Sequence, residues 1–234
     1  MTHQQTRRTL LKAGAAAAGL FALGPIRTAA AEPGPRGIDV SSHQGRPDWT
    51  AVSGAGIEFV YVKATEGHSW TSPTLDDQYA GARGAGLVTG LYHFARPDSG
   101  GDPVREADHF ADHVYRLDAH YFGALPPCLD IERVGKDLRD WCGRFLDRLR
   151  YRLDTYPVLV YASTNFIRDH LSGSWADTHD VSWWVANYGG GPGKFSSPTE
   201  RVVMHQYTSS GKVPGIKGRV DMNLALFPLH GLTL

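Results

Sequence analysis

Four carboxylates stand at the ends of runs rich in strand-forming residues. Asp39 lies in Gly37-Ile38-Asp39-Val40, Asp130 and Glu132 in Leu129-Asp130-Ile131-Glu132, and Asp221 in Val220-Asp221-Met222-Asn223. Successive side chains of a strand point to opposite faces, so Asp130 and Glu132 share one face and Leu129 and Ile131 the other. If the apolar pair meets helices, the two acids point into an interior. Adjacent inward carboxylates repel and are costly to desolvate, which holds at least one of them protonated. A protonated carboxyl beside an ionised one is the equipment for cleaving a glycosidic bond. Asp39 or Asp221 alone reads more simply as a helix cap or an ion-pair partner; the Asp-x-Glu pair on a buried strand reads as function. Clustered acids can also hold a hard cation, but these lack the dense Asp/Asn/Gly loop of a calcium site, so no metal and no cofactor is expected.

Aromatic residues accompany the acids. Tyr92, Phe94, Tyr161, Trp184 and Tyr188 fall at or near strand ends. Sugar rings stack their apolar faces on aromatics, so a cleft lined this way suits a glycan, although core packing is the plainer reading of any single one. Other signals are weaker. Gly193-Lys194 lacks the glycine spacing and the Ser/Thr of a phosphate loop. His109 and His113 stand four apart as some zinc ligands do, but the Glu of His-Glu-x-x-His is missing and Asp108 and Asp112 alternate with them, so a solvated helix face is expected.

These side chains must be positioned by alternating elements. Strands are expected at 37–40, 58–63, 87–94, 127–132, 157–163, 182–187, 202–208 and 219–222. Helices are expected at 73–83, at 103–117 behind the N-cap Asp102, at 137–153 and, shorter, at 164–171. The third places Leu138, Trp141, Phe145, Leu149 and Leu153 on one face. Repeated β-α units imply parallel strands. Beyond the fifth strand the alternation fails: the connections 188–201 and 209–218 are crowded with Gly and Pro and do not look helical. The fold class is therefore α/β, an irregular barrel of eight strands with helices on its first part. In such a barrel the functional residues sit at the C-terminal ends of strands.

Composition bounds the rest. The chain has 234 residues, of which 41% are hydrophobic, enough for a packed core. Two cysteines exclude a disulfide scaffold, and the opposed directions of Cys128 and Cys142 predict two buried thiols. The first residues combine Arg7-Arg8, a short apolar run over 13–26 and Ala29-Ala30-Ala31, which read as a secretory signal of the twin-arginine kind over 1–31. The run is too short to span a bilayer, so no membrane span is expected. That segment holds Arg7, Arg8, Lys12 and Arg27 and no acid, leaving 32–234 as one mildly acidic domain of 20 basic and 24 acidic residues. Zero net charge overall, and a negative one after processing, argue against nucleic acid as a partner. Binding to any polyanion should lean little on bulk charge, and a monomer is expected.

The ordered motifs resemble glycoside hydrolase family 25 lysozymes, the Chalaropsis type. They are Gly37-Ile38-Asp39-Val40-Ser41-Ser42-His43-Gln44-Gly45 with Asp48-Trp49, Val62-Lys63-Ala64-Thr65-Glu66-Gly67, Ala85-Gly86-Leu87, Gly90-Leu91-Tyr92-His93-Phe94, Leu125-Pro126-Pro127 into Leu129-Asp130-Ile131-Glu132, Trp184-Val185-Ala186, Gln206-Tyr207-Thr208-Ser209, and Val213-Pro214-Gly215-Ile216 into Val220-Asp221-Met222-Asn223. The resemblance covers nearly all of 32–234. It implies a flattened barrel of five β/α units followed by three strands. It also implies an N-acetylmuramidase that cuts the β-1,4 bond between N-acetylmuramic acid and N-acetylglucosamine, with peptidoglycan strands as partner. On this resemblance Glu132 is the general acid, Asp130 its partner, and Asp39 and Asp221 the flanking carboxylates. Tyr92, Tyr161, Gln206, Lys63 and Trp184 are the candidates to line the substrate site. The sequence departs from the family in having His205, where a tryptophan often precedes the Gln-Tyr-Thr-Ser run. The alternatives are a glycan-binding barrel without catalysis and an endo-hydrolase of another N-acetylated glycan such as chitin.

Overall fold

The structure, a computed structural model, describes residues 34–120, 122–154, 157–197 and 199–234. The expected signal at 1–31 lies outside the described residues. Eight strands close a barrel: β1 (Arg36–Val40), β2 (Phe59–Glu66), β4 (Val88–Phe94), β5 (Cys128–Asp130), β6 (Leu159–Ser163), β7 (Ser182–Ala186), β8 (Val202–Gly211) and β9 (Val220–Ala225). Going round the barrel the order is β1, β9, β8, β7, β6, β5, β4, β2, and β2 pairs back to β1. A two-residue strand, β3 (Trp70–Thr71), hangs antiparallel from the end of β2.

Alternation divides the side chains cleanly. Val60, Val62, Leu91, Leu129, Ile131, Val160, Trp183 and Val185 face outward into one large buried cluster with the helices. Those helices include α1 (Trp49–Gly54), α2 (Leu75–Gly84), α3 (Pro103–Arg116) and α4 (Leu138–Leu153). All five residues of the expected α4 face are buried. Asp102 caps α3, accepting from the Val104 N–H at 2.8 Å. The interior holds a second cluster: Phe59, Tyr61, Cys128, Leu159, Tyr161, Trp184 and Met204 fill the lower barrel. The barrel is packed below, and its mouth opens at the top. Both cysteines are free and buried, Cys128 in the interior cluster and Cys142 in the outer one.

Several expectations need correction. The last strand is not parallel: β9 pairs antiparallel with both β8 and β1. Asp221 is thus the second residue of a descending strand, not the end of an ascending one, and it reaches the barrel mouth for that reason. Strand β5 ends at Asp130, so Glu132 lies on the extended segment beyond the ladder. The sequence reading omits the short helices α1 and α6 (Trp175–Thr178) and the strand β3. The segment 164–171 is one α-turn, α5 (Thr164–Phe166), running into a π-turn (Ile167–Leu171). His109 and His113 are not a solvated face. They are half-buried under β3, with His113 Nε2 3.0 Å from Thr71 Oγ1 and His109 Nε2 3.1 Å from the Trp70 carbonyl.

Among the described residues no helix lies between β7 and β8. The glycine-rich connection crosses the outer face of β8 instead, and His205 holds it there. This ring is fully buried; its Nδ1 accepts from the Gly193 N–H at 3.0 Å and its Nε2–H donates to the Asn187 carbonyl at 2.8 Å. Phe195 packs on the ring with centroids 4.2 Å apart. Both nitrogens are used in a way that only the neutral imidazole allows, and burial holds its pKa below the usual value.

Candidate active site

The barrel mouth brings the four acids together. Asp39, Asp130, Glu132 and Asp221 line one cavity of about 280 Å³ with Lys63, Tyr92, Tyr161, Trp184, Tyr188 and Gln206. The nine residues named in the sequence as catalytic or substrate-lining candidates therefore share one cleft, along with the strand-end aromatics Phe94 and Tyr188. Trp184 forms its floor and is almost fully buried, stacked on Tyr61. Among the described residues no group of three or more His, Cys, Asp or Glu is placed to hold a metal ion. No helix among them is long and apolar enough to cross a membrane.

A hydrogen-bonded frame fixes Asp39. Its Oδ2 accepts from Asn223 Nδ2 at 2.8 Å and from Gln206 Nε2 at 2.9 Å. Trp184 Nε1 donates to Asn223 Oδ1 at 2.8 Å, and the Tyr161 and Tyr188 hydroxyls both donate to Gln206 Oε1. Gln78 of α2 donates to the Ser41 and Gly45 carbonyls, each at 2.8 Å, and so seats the turn that carries Ser41 and His43 into the cleft wall. The role of Asn223 was missed in the sequence; its signal was parity, since it shares the face of Asp221 two residues on.

Burial governs the acids. Desolvation, then the Asp221 charge, push the Asp39 carboxyl well above the usual range, and desolvation raises Asp221 as well. Asp130 is pushed well above its usual range by desolvation and the Glu132 charge, with the Lys63 ammonium opposing. Glu132, open to the cleft, is raised by desolvation and by Asp221 and held down by Arg133 and Lys63. The cluster therefore retains protons that isolated carboxylates would have lost. Lys63 Nζ pairs with Glu66 Oε2 at 2.7 Å and lies 4.5 Å from the centroid of Phe94. Arg96 takes the other oxygen of Glu66 at 2.8 Å.

A carboxylate oxygen in the cleft is left outside this frame. Asp130 Oδ1 is buried and has no hydrogen-bond partner among the described residues. A buried acceptor without a donor is costly. Here it belongs to a residue that lines an open cleft, so a ligand N–H or O–H can supply the missing bond.

Comparison with known proteins gives a consistent picture. The sequence profile of glycosyl hydrolases family 25 matches residues 38–216. The chain is similar to the autolytic lysozyme of Clostridium acetobutylicum, 35% identical over 80% of this chain and 55% of that protein. It therefore spans about half the length of that relative. It is 33% identical to lysozyme M1 of Streptomyces globisporus, over 86% of this chain and 69% of the relative. The crystal structure of a bacterial lysozyme from Streptomyces coelicolor superposes with a TM-score of 0.75 at 29% identity, covering 86% of this chain and 96% of that one.

Proposed function

Because the chain belongs to glycosyl hydrolases family 25, we propose that it is a lysozyme of the N-acetylmuramidase type, which hydrolyses the β-1,4 bond from N-acetylmuramic acid to N-acetylglucosamine in peptidoglycan. In this reading Glu132 is the general acid. It is raised above the ordinary glutamate range and faces solvent in the cleft, so it can hold a proton and deliver it to the leaving oxygen. Asp130 receives the N–H of the muramic N-acetyl group. That amide donor favours the ionised carboxylate, turns the acetyl oxygen toward C1 and stabilises the positive charge that develops as this oxygen attacks. The C1–O bond to the leaving sugar breaks as the acetyl C–O bond forms, and Glu132 supplies the leaving oxygen's proton. Water then opens the cyclic intermediate with Glu132 acting as base. Substrate assistance of this kind is a known exception to the two-carboxylate scheme. Asp39 and Asp221 flank the reacting ring, with Tyr92, Tyr161, Gln206 and Lys63 lining its pocket.

The observation that carries the reading is the unpartnered Asp130 Oδ1 beside Glu132 in the cleft. Product configuration tests it. NMR of the first products should show retained β-configuration at C1, and an initial α-anomer would exclude the neighbouring acetyl route. The segment 1–31 is read as an export signal of the twin-arginine kind, which places the enzyme outside the cytoplasm where its substrate lies. N-terminal sequencing of the secreted form, expected to begin near Glu32, tests that.

A further inference from the structure

Lys63 is the one lysine or arginine among the residues that line the carboxylate cavity, and Asp130 Oδ1 in the same cavity has no hydrogen-bond partner among the described residues. An ammonium free to move would close on that oxygen, because a charge-assisted bond to a buried carboxyl is among the stronger ones available to it. It does not. Among the described residues no ion pair joins Lys63 to Asp130 or Glu132; its Nζ lies 2.7 Å from Glu66 Oε2 instead.

The tether is built into β2. Lys63 is the register partner of Tyr92 on β4, and Thr65 that of His93, so Ala64 is an extra residue against β4, a bulge in the ladder. In a regular strand Lys63 and Glu66, three apart, would face opposite sides. The bulge restores them to one face. Ala64 turns into the outer cluster, Thr65 Oγ1 meets His93 Nδ1 at 2.8 Å, and Glu66 stands opposite Phe94 at the mouth. Glu66 is held in turn. Arg96 Nη1 donates to Glu66 Oε1 at 2.8 Å and Arg96 Nε to Asp98 Oδ1 at 3.0 Å, while the Arg96 backbone N–H donates to the buried Glu106 Oε2 at 3.1 Å. Desolvation opposes it, yet the bonds from Lys63 and Arg96 hold the Glu66 carboxyl below the usual glutamate range. Phe94 and Trp70 flank the ammonium, their ring centroids 4.5 and 5.1 Å from Nζ. The anionic groups around it are thus Glu66 on one side and Asp130 and Glu132 on the other.

We propose that Glu66, held by Arg96, is a positioning residue: it keeps Lys63 off Asp130 and so leaves Asp130 Oδ1 open to the N–H of the substrate's N-acetyl group. The inference rests on Asp130 as the acceptor of that amide. With the Glu66 charge removed, the ammonium turns to the cleft acids. A Lys63–Asp130 bond must then break before the amide can bind, and the cost appears in KM. In the tethered position the ammonium acts on Asp130 and Glu132 through its field alone, opposing the rise of both, and occupies neither.

The test compares Glu66→Gln, Lys63→Met and the double variant with wild type on the tetrasaccharide of alternating N-acetylglucosamine and N-acetylmuramic acid, with circular dichroism to confirm folding. Glu66→Gln should raise KM about tenfold and change kcat less. The double variant should match Lys63→Met, because it has no ammonium to release; a general loosening of the mouth would instead add its loss to that of Lys63→Met. NMR of labelled carboxyl carbons, with Asp130→Asn for assignment, gives a reading that needs no turnover. Asp130 should titrate about 1–3 pH units lower in Glu66→Gln than in wild type, and at the same pH in the double variant as in Lys63→Met. A direct field of Glu66 would lower it in both backgrounds. A KM within twofold of wild type in Glu66→Gln, or a loss or shift that persists without Lys63, overturns the tether. A wild-type protein that leaves the tetrasaccharide uncut overturns the muramidase reading, and the carboxyl titration then decides the tether by itself.

Discussion

Asp39 on β1 and Asp221 on β9 are register partners across the antiparallel seam that closes the barrel. The pairing sets two carboxyls from opposite ends of the sequence side by side in a buried mouth. Asn223 and Gln206 both donate to Asp39 Oδ2, so the frame orients one acid of the pair and leaves the other to face the cleft. Each is raised by burial, and Asp39 is raised further by the charge of its partner.

That pair makes stability depend on pH. A carboxyl whose pKa is higher in the folded than in the unfolded protein contributes fully below the unfolded value, and the contribution is lost as pH rises through the folded one. Asp39→Asn keeps an oxygen for Asn223 and Gln206 and removes the titration. It should raise Tm at pH 7, and the gain should vanish toward pH 3, where the aspartate is protonated in both states. Thermal melts across that range check this; a lower Tm at pH 7 would contradict it.

Glu132→Gln keeps the shape of the acid and removes its proton. Its Tm at pH 7 should be no lower than that of wild type, since the Glu132 carboxyl is also raised by burial, while turnover of wall glycan falls by about 10²–10⁴-fold. A variant with half of wild-type turnover would end the assignment.

The basic limb of the activity profile should follow Glu132. Its protonated form is the active one, and the cleft extends that form above the ordinary glutamate range, so kcat falls as pH rises through the raised value. The Lys63 ammonium opposes this rise. Lys63→Met should therefore move the limb to higher pH, with Glu66 still neutralised by Arg96. An unmoved limb would show that another group governs it.

His205 should behave as a neutral clamp. Its pKa is lowered in the fold, so the clamp's contribution is present in full above the unfolded value of about 6.5 and is lost as pH falls from there through the lowered folded value. His205→Ala leaves the Gly193 N–H and the Asn187 carbonyl without their partner, at a cost of about 2–4 kcal/mol. Hydrogen exchange should speed up at the amides of 189–195 in the variant, and wild type should show the same change once pH falls through the lowered value of His205.

Burial raises both thiols, that of Cys142 to a value beyond any physiological titration. A thiol reagent should find none in the native protein and two in denaturant without reductant. None in denaturant would mean a disulfide.

Much of this was legible because it depends on local periodicity. Alternation alone put Asp130 and Glu132 on the inner face and Leu129 and Ile131 on the outer, and the spacing of Trp141, Phe145 and Leu149 marked the buried side of α4. The misses have long-range or marginal causes. The direction of β9 is set by its partners β1 and β8, which no window around Asp221 contains. The short α1 and α6 span less than two turns and carry little pattern. His109 and His113 read as solvated because β3, which covers them, is two residues long. The gathering of Asp39, Asp130, Glu132, Tyr92 and Tyr161 followed from strand-end position, whereas Lys63 and Gln206 carried no local signal and were named on the resemblance alone.

The central claim is which bond is cut, and one measurement addresses it directly. Purified peptidoglycan is digested, the new reducing ends are converted to alditols with borohydride, and the fragments are identified by mass spectrometry. The account predicts N-acetylmuramitol at the new ends. N-acetylglucosaminitol at those ends, or no new ends with folded protein, would contradict it.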